Sequence, residues 1–413
     1  MHLSARGHLI DAGLLGTALD AVTGGGGSYR IVSFDVGRTK DEESEILLDV
    51  QADDPADLQG VIDNLGTLGF CRPDDSSVEL GEVLADGVAP DSFYSSTNLT
   101  TSVRVADQPL DVLDQRMDAT IVVDDMVDHS SGSTTARCVK LRDLVRGQKV
   151  VLGSTGVTVH PDTHRREAAD FSFMSSEISS ERRVDDQAAL LAGLWREAKA
   201  GGGRVVLVGG PVIIHTGQAE ALSGMISRGW VDALLAGNAL AVHDVEAATL
   251  GTSLGISQCN GRAELHGHMN HMRAINLVRK HGGLAGAVGA KVLTRGVMYA
   301  CVRHDVPFSL AGSIRDDGPL PDTEMDLIAA QERYSELLKG ASLVVVLGTM
   351  LHGIGVGNML PAGVQLVCVD INPAVASKLC DRGSSHTVAI VTDVGLFMAI
   401  LSRHLSDQAP VAG

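Results

Sequence analysis

Three short stretches of the chain carry residue types that bind or react with small molecules. Ser313-Ile314-Arg315-Asp316-Asp317-Gly318-Pro319 sets two adjacent carboxylates beside an arginine. Such a run is a solvated turn, a ribose-binding turn, or a holder of a cationic substrate that also moves its protons. The planar fork of Arg315 suits a substrate carboxylate. Leu265-His266-Gly267-His268-Met269-Asn270-His271 has the HxHxxH spacing of a metal site, yet no acid or cysteine cluster completes a zinc shell. Its imidazoles read equally as site-lining groups at a helix cap or as surface histidines. Gly348-Thr349-Met350-Leu351-His352 follows an apolar run, and Asp370, 22 positions after Gly348, closes a second one. Glycine after a strand lets backbone N–H groups approach a phosphate, and an acid about 20 residues on takes ribose hydroxyls. The intervening Gly353, Gly355 and Gly357 do not spell GxGxxG. His352 is then an acid/base candidate or a donor on the phosphate side.

These residues need strands to hold them. Leu343–Leu347 and Leu366–Val369 are too short for helices and rich in β-branched residues, as buried parallel strands are. From Arg183 onward the pattern repeats. Helix 184–200 precedes strand 204–208, strand 232–236 and strand 307–310, with helical runs at 239–250, 270–281 and 287–304 between them. A last strand, 388–391, ends in Thr392-Asp393, and Asn372, Pro373 and Gly383 supply cap, first-turn and stop signals for a helix over 373–381. Six strands result, each ending in Gly, Asn, Ser, Thr or Asp. In a doubly wound sheet such ends meet at one edge, where ligands bind, so residues 184–413 are expected to form a Rossmann-like domain.

Residues 1–80 alternate helical and strand patterns (helices 8–20 and 57–68, strands 29–36 and 46–52), which suggests a small α+β, ferredoxin-like domain. Residues 81–183 read as a β-rich middle region, with strands at 102–105, 119–123, 150–152 and 157–159. Two polar loops there hold scarce aromatics: 85–98, with Phe93 and Tyr94 ahead of Asn98, and 171–183, with Phe171 and Phe173. Loops of this composition serve as caps and turns. An aromatic held inside one also suits a pocket wall, which makes Tyr94, Asn98 and Arg315 the candidate substrate contacts.

The totals bound the function. At 413 residues with 44% hydrophobic content and 47 glycines, the chain suits an α/β protein of two or three domains, and its 3% aromatic content requires an aliphatic core. A net charge of −18 argues against nucleic acid and anionic membranes. Six cysteines without CxxC spacing read as core residues of a reducing compartment, and no uniformly apolar stretch of membrane-spanning length occurs. A cytoplasmic protein is expected. Neither GxSxG nor a Walker loop is found, and Lys291 and Lys378 lie in helical patterns outside the glycine-rich loops, which weighs against a covalent lysine mechanism.

Five longer motifs carry a resemblance: ADGVAPDSFYSSTN (85–98), AGNALAVHDVEAATLGTSLG (236–255), AGSIRDDGPLPD (311–322), residues 349–361, and CVDINP (368–373). Together they resemble the LOR/SDH conserved-region family, over nearly the whole chain. That family includes archaeal-type ornithine cyclodeaminases and the C-terminal part of cyanobacterial arginine dihydrolase/ornithine cyclodeaminases. The resemblance implies an NAD-binding fold similar to that of deoxyhypusine synthase and sirtuins. It implies conversion of L-ornithine to L-proline and ammonia with catalytic NAD. Hydride leaves the substrate Cα, the δ-amine attacks the resulting imine, ammonia departs and the hydride returns. On the matching positions it places NAD at Asn238, Ala239, Asp317, Thr349, Met350, Leu351, His352, Asp370, Ile371, Asp393 and Val394. Catalytic roles fall to Asp316, His268 and His352. An acid at Asp370 favours NAD over NADP. No arginine dihydrolase domain is present, so only the second activity carries over. A lysine-type cyclodeaminase or dehydrogenase and a non-catalytic NAD-binding regulatory module remain as alternatives. A homo-oligomer is the expected assembly.

Overall fold

In the computed structural model the described residues are 1–7, 9, 14–37, 42, 44–71, 76–106, 108–125, 134–160, 180–257, 269–316, 318–361, 363–382 and 387–406. They fall into two compact units.

The first unit comprises residues 1–170 with 358–363 and 384–386. Its first sheet joins β1 (His2–Gly7), β2 (Gly27–Asp35) and β3 (Ser44–Ala52) in the antiparallel order β1-β3-β2. Alternation along β1 and β3 sends Leu3, Ala5, Ile46, Leu48 and Val50 to one face. Helices Leu14–Gly24 and Pro55–Thr67 cover that face with Ala18, Val22, Val61 and Leu65. A bridge from Ser4 to Cys71 adds a rudimentary fourth edge. The sequence expectation missed β1, and the first helix runs from Leu14 to Gly24 rather than over 8–20; residues 8 and 10–13 lie outside the described residues.

The second sheet of this unit has the order β10-β5-β6-β8-β7-β9-β4. Its strands are β4 (Glu79–Glu82), β5 (Thr101–Val105), β6 (Gln108–Leu113), β7 (Thr120–Asp125), β8 (Thr134–Val139), β9 (Lys149–Leu152) and β10 (Val157–Val159). Both faces are buried: Ile121 and Val123 join one apolar cluster, and Val122 with Val150 joins the other. β4, β6 and β8 were not expected from the sequence. Their polar residues break the alternation that marks a strand, and neighbouring strands supply the apolar contacts.

The second unit comprises residues 171–357, 364–383 and 387–413. Its sheet joins β11 (Arg204–Gly209), β12 (Ala233–Gly237), β15 (Phe308–Ala311), β16 (Thr323–Glu324), β17 (Ala341–Leu347), β18 (Gln365–Asp370) and β19 (Thr387–Val391). The order is β16-β15-β12-β11-β17-β18-β19, every pair parallel. A short hairpin of β13 (Thr252–Ser253) and β14 (Ile256–Ser257) stands apart. Without the two-residue β16, this is the Rossmann order 3-2-1-4-5-6, whose direction reverses between β11 and β17. β16 is the strand the six-strand expectation lacked. The central strands read as continuous apolar runs because helices cover both faces: Val205–Val208 and Leu343–Leu347 are all buried. Helix Ser180–Ala200 docks through Leu191 and Trp195, the indole Nε1 donating to the Trp230 carbonyl at 2.8 Å.

One helical expectation is corrected. The run over 287–304 is two helices, Leu284–Gly289 and Val297–Arg303. The break is stabilised from elsewhere: Val297 N and Met298 N donate to the buried carboxylate of Asp244, each at 2.8 Å, which caps the second helix. No helix among the described residues is long and apolar enough to cross a membrane.

Candidate nucleotide and substrate site

The reversal between β11 and β17 brings two glycine turns together. Gly210, after β11, donates to Leu347 O at 2.9 Å, and a Cβ added there would stand 2.0 Å from the Gly348 carbonyl oxygen. Gly348, after β17, has φ +59 and donates to Val369 O at 3.0 Å. Neither turn admits a side chain, so backbone alone forms the floor of the crevice. The N-termini of helices Met350–Met359 and Val394–Ser406 follow β17 and β19 at the same sheet edge, and a helix N-terminus favours an anion. Asp370, 9% exposed, ends β18, and its Oδ1 accepts from Asn372 N at 2.8 Å. Asp393 Oδ1 accepts from Leu396 N at 2.8 Å and so caps the last helix, with Val394 buried behind it. Thr349 is buried, while Met350, Leu351 and Ile371 are exposed. Glycine floor, two helix N-termini and an acid after the second strand fit a dinucleotide.

On the other side of the reversal a cavity of about 380 Å³ opens over the ends of β11, β12 and β15. Pro211 and His215 line it after β11. Asn238, Ala239, Val242 and His243 come from helix Asn238–Leu250 after β12, and Ser313, Arg315 and Asp316 follow β15. Leu254, His271 and Ile275 complete the wall. Asn238 is 5% exposed, and its Oδ1 accepts from Leu320 N at 3.1 Å and Thr323 Oγ1 at 2.9 Å. This ties the segment after Arg315 to the start of the helix. Asp316 Oδ2 accepts from Ser313 N at 2.7 Å, which folds the acidic turn and leaves the Arg315 side chain exposed.

His352 belongs to the helix after β17, yet its ring lies against the end of β12: a Cβ on Gly237 would stand 2.9 Å from its Cε1. Its Nδ1 is 3.0 Å from Thr349 Oγ1. Burial holds the imidazole below its ordinary pKa, and the nearby Asp316 carboxylate partly offsets this. The structure thus brings together Asn238, Ala239, Arg315 and Asp316, and places Asp316 beside His352. His268 and Asp317 lie outside the described residues, as do Phe171 and Phe173. Tyr94 and Asn98 belong to the first unit. Burial, with Cys138 nearby, pushes the Tyr94 phenol up to about 12. Asn98 is 6% exposed, and its Nδ2 has no hydrogen-bond partner among the described residues.

Sequence reasoning missed one group of residues in the cavity wall. His243 Nδ1 is 3.0 Å from Glu246 Oε2, and the Glu246 side chain is fully buried. Burial raises the Glu246 pKa, but donors from His243, Gly255 and Thr252 more than offset it and hold the carboxyl below its ordinary value. His215 packs edge-on to His243 with centroids 4.8 Å apart, and its Nδ1 is 2.7 Å from Ser253 Oγ. The signal in the sequence was His243-x-x-Glu246, the spacing of neighbours on one helix face. Among the described residues, no cluster of three or more His, Cys, Asp or Glu side chains is arranged to hold a metal ion.

Family models match residues 1–187 and 190–401 of the chain. Residues 1–99 match the LOR/SDH bifunctional enzyme conserved region. Residues 100–187 match the first region, and 190–401 the Rossmann fold, of the arginine dihydrolase ArgZ-like C-terminal part. The chain is 47% identical over 408 residues to the bifunctional arginine dihydrolase/ornithine cyclodeaminase ArgZ of Synechocystis, covering 97% of this chain and 57% of that protein. It therefore spans little more than half the length of that relative. It is 44% identical over 401 residues to an ornithine cyclodeaminase of Methanothermobacter thermautotrophicus, covering 97% of this chain and 96% of the relative. A crystal structure of the ternary complex of AgrE with ornithine and NAD+ matches with a TM-score of 0.53 at 45% identity, covering 98% of this chain and 58% of that one. The chain belongs to the LOR/SDH conserved-region family, in the branch whose second half is the ArgZ-like Rossmann fold.

Proposed function

We propose that the protein is an NAD-dependent ornithine cyclodeaminase, converting L-ornithine to L-proline and ammonia. The observation that carries this reading is the cavity lined by Asn238, Arg315 and Asp316 at the ends of β11, β12 and β15, beside the glycine turns of the crevice. Its volume of about 380 Å³ suits an amino acid together with the reactive end of a dinucleotide. The likeness to the Methanothermobacter ornithine cyclodeaminase over nearly its full length supports the activity. The AgrE complex with ornithine and NAD+ supports both ligands.

When bound, NAD supplies a hydride acceptor that later gives the hydride back, so the net reaction is redox-neutral. Thr349 to His352, Asp370-Ile371, Asp393-Val394, Asn238, Ala239 and Asp317 are the residues that would hold it. The exposed guanidinium of Arg315 takes the substrate carboxylate as a planar pair. Asp316 faces the distal ammonium, which its fixed turn with Ser313 positions it to attract. His352, kept neutral by burial, is available to exchange protons, with His268 as a second such group. Tyr94 and Asn98, in the first unit, stand as further substrate-binding candidates on the strength of their polar, aromatic-bearing loop.

The same reading takes residues 1–80 as a ferredoxin-like domain, 81–183 as a β-rich region bearing substrate loops, and 184–413 as the NAD-binding domain. It takes the enzyme as a cytoplasmic homo-oligomer. Cys138 and Cys301 are small buried core residues, as suits a reducing compartment. Purified protein given L-ornithine and NAD should form proline and ammonia in equal amounts with no net NADH. Bound NAD with neither product formed overturns the proposal. Lysine and diaminobutyrate run in parallel fix the preferred chain length.

A further inference from the structure

Within the motif over 236–255, the residues given no role so far include His243, which lines the cavity, and the buried carboxylate of Glu246 behind it. Glu246 is a fully buried carboxylate with four donors. Oε1 accepts from Thr252 Oγ1 at 2.8 Å and Gly255 N at 2.9 Å. Oε2 accepts from Leu254 N at 3.2 Å and from His243 Nδ1 at 3.0 Å. Asn270 Nδ2 in turn donates to Thr252 Oγ1 at 2.9 Å, so the hydroxyl that orients Glu246 is itself oriented. An ionised carboxylate can only accept, so the His243 proton sits on Nδ1 and Nε2 is left as the basic nitrogen of a residue lining the cavity.

We propose that His243, oriented by Glu246, takes a proton from an ammonium nitrogen of the bound diamino acid and returns it to the departing ammonia. The inference rests on the reading of the chain as a cyclodeaminase. In the first transfer the N–H bond breaks, its electron pair stays on the substrate nitrogen and the proton moves to His243 Nε2. The imidazolium so formed is held against the Glu246 carboxylate. In the second transfer the Nε2–H bond breaks and the proton moves to the α-amino nitrogen of the cyclised substrate; its bond to Cα breaks with the electron pair staying on that nitrogen, the ring nitrogen's lone pair forms the C=N bond, ammonia departs and the residue ends unchanged. An oriented imidazole with a buried carboxylate behind it is the arrangement that proton transfer requires.

The other titratable groups of the cavity suit the role less. His215 has Nδ1 committed to Ser253, and burial, with His243 next to it, holds its pKa below the ordinary value; it stands as an uncharged neighbour of His243. Asp316 has Oδ2 committed to Ser313 N. Arg315 can only donate. His271 shares the wall but has no carboxylate behind it among the described residues.

Two variants of the protein test the proposal. His243→Ala is expected to lower kcat by about 100-fold or more, to leave the Kd for NAD unchanged, and to regain activity with added imidazole. Glu246→Gln can keep its carbonyl toward Thr252 and Gly255 while turning its NH2 toward His243. It is expected to move the His243 proton to Nε2, read by ¹⁵N NMR of histidine-labelled protein, and to lower kcat to a similar extent. Full activity in His243→Ala, a loss that imidazole does not restore, or an unchanged tautomer in Glu246→Gln would each overturn the inference. A wild-type protein that binds NAD but forms no proline overturns the functional reading beneath it. An active wild type with an indifferent His243 variant overturns this inference alone.

Discussion

Gly348→Ala tests the crevice most directly, because the structure separates its cost into two parts. The first is backbone: Gly348 has φ +59, and an L-residue in that region costs about 1–2 kcal/mol. The second is steric. The new Cβ would lie 2.1 Å from Val212 Cγ1, so either the helix after β11 or the turn after β17 must shift, at about 1–3 kcal/mol. Alanine also restricts the unfolded chain, which offsets about 0.4–1 kcal/mol. The net loss is then roughly 3 kcal/mol, in a range of about 1–5. Adding Val212→Ala removes the steric part only. The double variant should sit about 1 kcal/mol below Val212→Ala alone, with a coupling energy of about 1–3 kcal/mol. Urea unfolding read by tryptophan fluorescence is the assay, since both tryptophans, Trp195 and Trp230, are buried in this unit. NAD affinity should fall in Gly348→Ala and partly recover in the double variant. A cost below about 0.5 kcal/mol, or no recovery with Val212→Ala, refutes a crevice floor that excludes side chains.

Two further outcomes are expected. The wild type should bind NAD more tightly than NADP, because the Asp370 carboxylate at the end of β18 repels a 2′-phosphate; Asp370→Ser should narrow the difference, and matched titrations with tighter NADP binding to the wild type contradict it. Burial raises the Asp244 pKa to about 6 from 3.8, against the opposing Met298 and Val297 N–H donors. Since the folded state holds this proton more firmly than the unfolded one, the contribution is fully present below pH 3.8 and lost as pH rises toward 6, by about 3 kcal/mol. Relative to Asp244→Asn, the wild type should therefore lose stability between pH 4 and pH 7, and parallel urea-derived stability curves would rule this out.

The sheet of the second unit was legible because its strands are buried on both faces. Continuous runs such as Leu343–Leu347 announce themselves without knowledge of their neighbours. Their polar ends, Gly348, Asp370 and Asn238, were legible for the same reason, since a strand that stops in Gly, Asn or Asp stops at the ligand edge. β4, β6 and β8 were not legible. A strand such as Glu79–Glu82 carries no apolar alternation and exists because β9 offers it a backbone ladder. The split of 287–304 into two helices likewise depends on Asp244, which reaches Val297 from 53 positions away.

The site divides along the same line. Residue types and spacing along the chain determined that Gly348, Asp370, Arg315 and Asp316 stand at strand ends, because strand periodicity and turn chemistry are local. Only the tertiary structure decided that Asp316 and His352 share one edge, since His352 comes from the helix after β17 and rests on the end of β12. It alone decided that Glu246 is sealed by Thr252, Leu254 and Gly255, and that His215 meets Ser253 38 positions on. Local order follows from each residue and its few neighbours. A buried carboxylate and the imidazole it orients exist only once distant segments have excluded water around them.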